Sequence, residues 1–176
     1  MKELMPTAEK VAAKLFEKKH TIAVAESSAG GLISAALLAV PGASRYFMGG
    51  AVVYTRHARR NLLGLEGLAP GLRSSTEPYV LIHANRIREQ FDTTWGLAEA
   101  GAAGPPNAQG LGNTYGDAAG HSCLAVVGKV GMSLTERAMT LETGKGERLE
   151  NMMAFANQGL LFLLQQLEAS GREDLR

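Results

Sequence analysis

The chain has 176 residues, enough for one domain with a sizeable core and short for two. Its 18 Lys and Arg against 17 Asp and Glu leave a formal charge of +1, which gives no electrostatic case for nucleic acid or an anionic membrane surface as partner. A single cysteine, Cys123, excludes an internal disulfide framework, and no apolar run approaches the roughly 18 residues of a membrane span.

The N-terminus, MKELMPTAEK, lacks the apolar core of a signal peptide, so the sequence reads as cytoplasmic. Thr7 to His20 has the pattern of an amphipathic helix, with Thr7 as N-cap and Val11, Ala12, Leu15 and Phe16 on one face. Thr21 to Ala25 is a short apolar run typical of a buried strand. Polarity then changes abruptly at Glu26, Ser27 and Ser28; Gly30-Gly31 and a helical run from Leu32 to Val40 follow, closed by Pro41-Gly42. Tyr46 to Tyr54 reads as a strand interrupted by Gly49-Gly50, where a bulge or close contact is expected. A short helix is expected over Ala58 to Leu65. A turn-rich loop from Glu66 to Ser75 follows, and then a helix from Ser75 or Thr76 burying Leu81, Ala84, Ile87 or Arg88, and Phe91.

Thr93 to Glu99 reads as a second core strand ending in a glycine turn, Ala100 to Pro105, followed by a mobile polar loop from Asn107 to Gly116. His121 to Gly128 and Met132 to Leu141 have the pattern of a hairpin. A last helix from Glu147 to about Glu168 carries an apolar stripe of Leu149, Met152, Met153, Ala156, Leu160, Leu163, Leu164 and Leu167. With no repeat and no linker, residues 1–176 read as one domain, an α/β layered fold whose tail hairpin makes the sheet mixed.

In such sheets, sites form beyond the carboxyl ends of the strands, and two of those ends, Ala25 to Gly31 and Glu99 to Pro105, are rich in glycine. Metal chemistry finds no support: the four histidines are dispersed, there is no HExxH, and one cysteine makes no thiolate cluster. There is no GxGxxG and no GK[ST], so no nucleotide-cofactor fingerprint. Ser27 and Ser28 admit two readings. Either caps the following helix, or one is a nucleophile whose oxyanion meets N–H groups at a helix start. AESSAGG is not the GxSxG elbow, which leaves a serine with a tyrosine or cation beside it; Tyr54, followed by Arg56, His57, Arg59 and Arg60, is the candidate.

AESSAGGLISAAL, then PGASRYFMGGAVVYTRHARRNLLGL, then STEP, then AGAAGP resembles, in order and spacing, the C-terminal domain of CinA (competence/damage-inducible) proteins and the stand-alone nicotinamide-nucleotide amidases of that family. The likeness runs from the first helix to the last. It implies a three-layer α/β/α fold with a mixed sheet, and hydrolysis of nicotinamide mononucleotide to nicotinate mononucleotide and ammonia without a metal or other cofactor. It also implies a small-molecule nucleotide substrate and self-association into a homo-oligomer. Carried over by residue, Ser27 is the nucleophile and Tyr54 its assistant, with Arg59 at the family's lysine. Ser28, Gly30, Gly31, Gly101 and Gly104 fall on the substrate-binding turns, and Arg148 on a candidate phosphate contact.

The departures lie at the same positions. Arginine stays charged at any working pH, so Arg59 cannot be the general base that a desolvated lysine can be. Ser28-Ala29 replaces the family's Cys-Thr pair, Arg56 and His57 replace an asparagine and an acid, and Ala100 replaces a hydroxyl residue beside Glu99. A relative that binds a nucleotide-like metabolite with altered or no catalysis therefore stands beside the amidohydrolase.

Overall fold

The computed structural model describes residues 1–67, 69–107 and 116–170. Over these the chain runs α1 (Met5–Lys18), β1 (Ile22–Glu26), α2 (Leu32–Leu38), a 3-10 turn (Ala43–Arg45), β2 (Phe47–Val52), α3 (Arg56–Leu63), α4 (Glu77–Gln90), β3 (Trp95–Ala102), β4 (His121–Val130), β5 (Ser133–Glu142) and α5 (Arg148–Ala169). The strands form one sheet in the order β2-β1-β3-β4-β5. β1 is parallel to both β2 and β3, and the β4–β5 hairpin closes the sheet antiparallel. The expected mixed α/β sheet is thus present, and its parallel half puts the carboxyl ends of β1 and β3 side by side.

β1 is buried at every residue because both its faces are covered. On one face Val24, Leu97, Leu124 and Val126 pack with α1, α2 and α5. On the other Ala23, Ala25, Ala98 and Ala125 pack with α3 and α4 through Leu63, Val80, Ala84 and Ile87. Small residues on this second face let the helices sit close. A Cβ on Gly96 would stand 2.0 Å from the carbonyl oxygen of Ala84 in α4.

Several boundaries differ from the sequence reading, each for a local reason. Thr7 lies inside α1, which starts at Met5 behind an N-cap at Leu4; proline in the first turn suits that start. The chain irregularity beside Gly49 is real, since Ile22 pairs with Phe47 and Ala23 with Gly49, leaving Met48 over. α4 starts after Thr76 and buries Tyr79, Val80, His83, Ala84 and Ile87, a stripe rotated from the expected one; Phe91 is 37% exposed. Ala100 to Ala102 are not turn but strand, because β4 pairs with them. Leu149 is 68% exposed, and the buried position of that turn of α5 is Asn151. The Asn107–Gly116 loop falls, except for its two ends, outside the described residues.

Candidate functional site

β1 ends in Glu26, and β3 carries Glu99 directly opposite it. Both carboxylates are buried, and each has a different task. Glu26 caps α2, accepting from the Ile33 and Ser34 N–H groups at 3.0 and 2.9 Å and from the Ser34 hydroxyl at 2.7 Å. The helix needs this because its N-cap, Gly31 at φ +99°, has no side chain to offer. The capping reading of Ser27 and Ser28 is therefore corrected: Glu26 reaches back from the strand and does that work.

Glu99 holds the turn itself. One oxygen accepts from the Ser27 and Ala29 N–H groups at 3.1 and 2.8 Å. The other accepts from the Ser28 hydroxyl and, at 2.9 Å, from the Ser122 hydroxyl on β4. Burial pushes the Glu99 pKa up, and these four donors pull against it. Four hydroxyls thus crowd the carboxyl ends of the strands. Those of Ser28, Ser34 and Ser122 are bound to carboxylates; among the described residues, that of Ser27 has no hydrogen-bond partner, and the residue is partly exposed.

The remaining expected residues divide. The Val53 N–H donates to the Glu26 carbonyl at 2.7 Å, so Tyr54 follows within a residue of the Ser27 turn; its ring is 63% exposed and has no hydrogen bond among the described residues. Arg59 is buried at 4% exposure and faces away from solvent. Its guanidinium donates to the carbonyls of Leu65 at 3.2 Å and Glu66 at 3.3 Å, tying the loop after α3 to the helix. Gly101 faces β4, where a Cβ would meet the His121 carbonyl at 2.3 Å, so its bare backbone serves strand pairing. Gly31 faces Val52 of β2, and the first turns of α5 cover Gly30 and Gly104. Met152 lies over Gly30, and Arg148, an exposed residue, lies over Gly104 with its Nε 3.2 Å from where a Cβ would be.

Sequence reasoning passed over Ser122 and Asn151. Asn151, fully buried, donates to the Ala103 carbonyl at 2.8 Å and the Lys145 carbonyl at 3.0 Å and accepts from the Thr143 hydroxyl. It fastens α5 to the turn after β3. A serine in an apolar strand and an uncharged amide in the apolar stripe of a helix were the legible signals of both.

Elsewhere His121 bridges Glu142 and the Ser75 carbonyl through its two ring nitrogens, and the buried Cys123 thiol donates to the same carbonyl at 3.3 Å. Among the described residues, no cluster of three His, Cys, Asp or Glu side chains could hold a metal, and no helix is long and apolar enough to cross a membrane. A 690 Å³ cleft between the start of α1 and the first turns of α5 is lined by Glu3, Glu147, Glu150, Lys145 and Met153, and includes no residue of the Ser27 turn.

The family model of the CinA C-terminal domain matches residues 4–167. The chain is 40% identical over 121 residues to a CinA-like protein of Synechococcus sp. (strain CC9902), covering 68% of this chain and 28% of that one. It is 34% identical over 137 residues to a CinA-like protein of Parasynechococcus marenigrum, covering 77% and 32%. It thus spans about a third or less of these relatives. Among solved structures, the competence/damage inducible protein CihA from Agrobacterium tumefaciens superposes with a TM-score of 0.81 at 24% identity, covering 94% of this chain and 95% of that one; this likeness concerns the fold. A competence or damage-inducible protein from Enterobacter asburiae gives 0.77 at 26% identity, covering 93% and 98%.

Proposed function

The chain belongs to the CinA C-terminal domain family, and from that premise we propose that it is an amidohydrolase acting on the carboxamide of a nicotinamide-type nucleotide, with Ser27 as nucleophile. One observation carries the reading. Of the hydroxyls gathered where β1 and β3 end and β4 begins, Ser27's is the one left without a described partner, on a backbone that Glu99 holds from both its carbonyl and its side chain. A fixed backbone under an unengaged hydroxyl is what attack on a bound carbonyl requires.

The chemistry is amide hydrolysis. Ser27 Oγ bonds to the carboxamide carbon and gives up its proton; the C–N bond breaks with ammonia leaving; water then cleaves the ester, returning the serine and a carboxylate product. Tyr54, exposed and next in the chain to Val53, whose N–H bonds the Glu26 carbonyl, relays the serine proton by passing its own to the leaving nitrogen, and Arg148 over Gly104 is the cation for the nucleotide phosphate. Arg59 stays out of the proton transfer, since it is permanently charged and bound to two carbonyls.

The test is ammonia release from nicotinamide mononucleotide and related carboxamides. Ser27→Ala is expected to lose about a thousandfold or more in rate with its fold intact by circular dichroism. Equal release by wild type and Ser27→Ala overturns the assignment. A second reading, a metabolite-binding relative without hydrolysis, is favoured by one fact: the Ser27 and Ala29 N–H groups are already taken by Glu99 and so cannot stabilise an oxyanion. Saturable binding of the nucleotide with no ammonia from any carboxamide would select it.

A further inference from the structure

Glu99 is an odd residue for its place. It lies between Ala98 and Ala100 in a strand buried on both faces, 1% exposed, and nothing in strand packing asks for a carboxylate there. What surrounds it is a complete set of donors: two backbone N–H groups, from Ser27 and Ala29, and two hydroxyls, from Ser28 and Ser122. Among the described residues no acceptor joins them around the carboxylate, two donors fall on each oxygen, and the donors come from separate elements, the β1–α2 turn and β4. A planar two-oxygen anion matches that arrangement; an amide, which turns its own N–H groups towards donors, does not.

We propose that Glu99 is the positioning residue of the Ser27 turn, and that the cradle its side chain fills is a binding site for one carboxylate group, open to a small free carboxylate such as formate once that side chain is removed. The cradle stands on its own geometry. Its catalytic consequence rests on the reading of Ser27 as nucleophile: by engaging the Ser28 hydroxyl and the two N–H groups, Glu99 leaves Ser27 Oγ free and sets where it points.

The test uses the full chain in three forms, wild type, Glu99→Ala and Glu99→Gln, titrated with sodium formate and, for ionic strength, sodium chloride. Glu99→Ala is expected to melt lower than wild type, to exchange its Ser27 and Ala29 amide protons at least tenfold faster, and to recover both with formate but not chloride. At a tenfold excess over the dissociation constant the recovery is roughly 3–5 °C in Tm. Wild type, whose cradle is filled, shows no difference between the two salts. Should Glu99→Ala not fold, Glu99→Gln carries the test: its two amide protons are expected to exchange faster than wild type, with kcat for ammonia release reduced and KM little changed. Unchanged exchange at Ser27 and Ala29 in the folded variants, or a formate response no larger than chloride's, overturns the proposal. Failure of the functional reading is distinct from this. There wild type releases no ammonia from any carboxamide, while exchange and the formate response still decide the role of Glu99.

Discussion

A guanidinium and an ammonium differ most when they are buried with fixed acceptors. Arg59 meets two carbonyls with two arms of one planar fork, which a lysine's single terminal nitrogen cannot reproduce. Arg59→Lys is therefore expected to cost about 2 kcal/mol in a urea melt, one carbonyl losing its donor under a buried side chain. A variant as stable as wild type would mean that the loop after α3 is held by other contacts. The same cation bears on His83, which packs against the Tyr79 ring with centroids 4.0 Å apart and whose Nε2 has no partner. Burial, aided by the Arg59 charge, lowers its pKa to about 4 from 6.5. His121 is the opposite case. Burial pulls its pKa down, but the bonds to Glu142 and the Ser75 carbonyl and the nearby carboxylates outweigh it and hold the pKa above its ordinary value.

α2 shows how an element too short to stand alone is kept. It has seven residues and no side-chain cap of its own, so its start depends on a carboxylate delivered by the preceding strand. Glu26→Gln retains one acceptor oxygen and places an amide against a donor, with an expected loss of about 2 kcal/mol, read by urea unfolding. Ser34→Ala removes one of the three bonds and should cost about 1 kcal/mol; a larger loss in Ser34→Ala than in Glu26→Gln would contradict this account of the cap. α5 is the reverse, 22 residues long and self-sufficient in packing, and what its first turns decide is placement. Asn151, Met152 and Arg148 set it over Ala103, Gly30 and Gly104, so the glycine turns are roofed by a helix from the far end of the chain.

At the scale of the molecule, the two histidines contribute to the pH profile of stability with opposite signs. His83 has a folded pKa below its unfolded one, so its contribution is full above pH 6.5 and is lost as pH falls towards 4, a change of up to about 3 kcal/mol. His121 has a raised folded pKa, so its contribution is full below pH 6.5 and is lost as pH rises through the folded value. Urea melts across pH are expected to lose the His83 part of the acid limb in His83→Phe and to flatten the alkaline side in His121→Phe; an unaltered acid limb in His83→Phe would show that His83 is not what titrates there. The α/β layering behind these effects was legible from the chain because periodicity and turn residues are local quantities, while the count of three layers came with the family resemblance. The strand–turn–helix at Ser27, the hairpin at Gly131 and the span of α5 all follow from neighbours within a few residues. Pairing is not local. Nothing within ten residues of Gly101 says that β4 lies beside it, and nothing near Glu26 or Glu99 says that one carboxylate caps a helix while the other clasps a turn. Sequence alone determined the layers, the family and the identity of Ser27 as the residue to watch. Only the tertiary structure decided which hydroxyls are engaged, that Arg59 is committed to a loop, and that Glu99 fills the turn from inside, because those outcomes depend on buried donors and acceptors brought together from distant strands, each of which must find a partner.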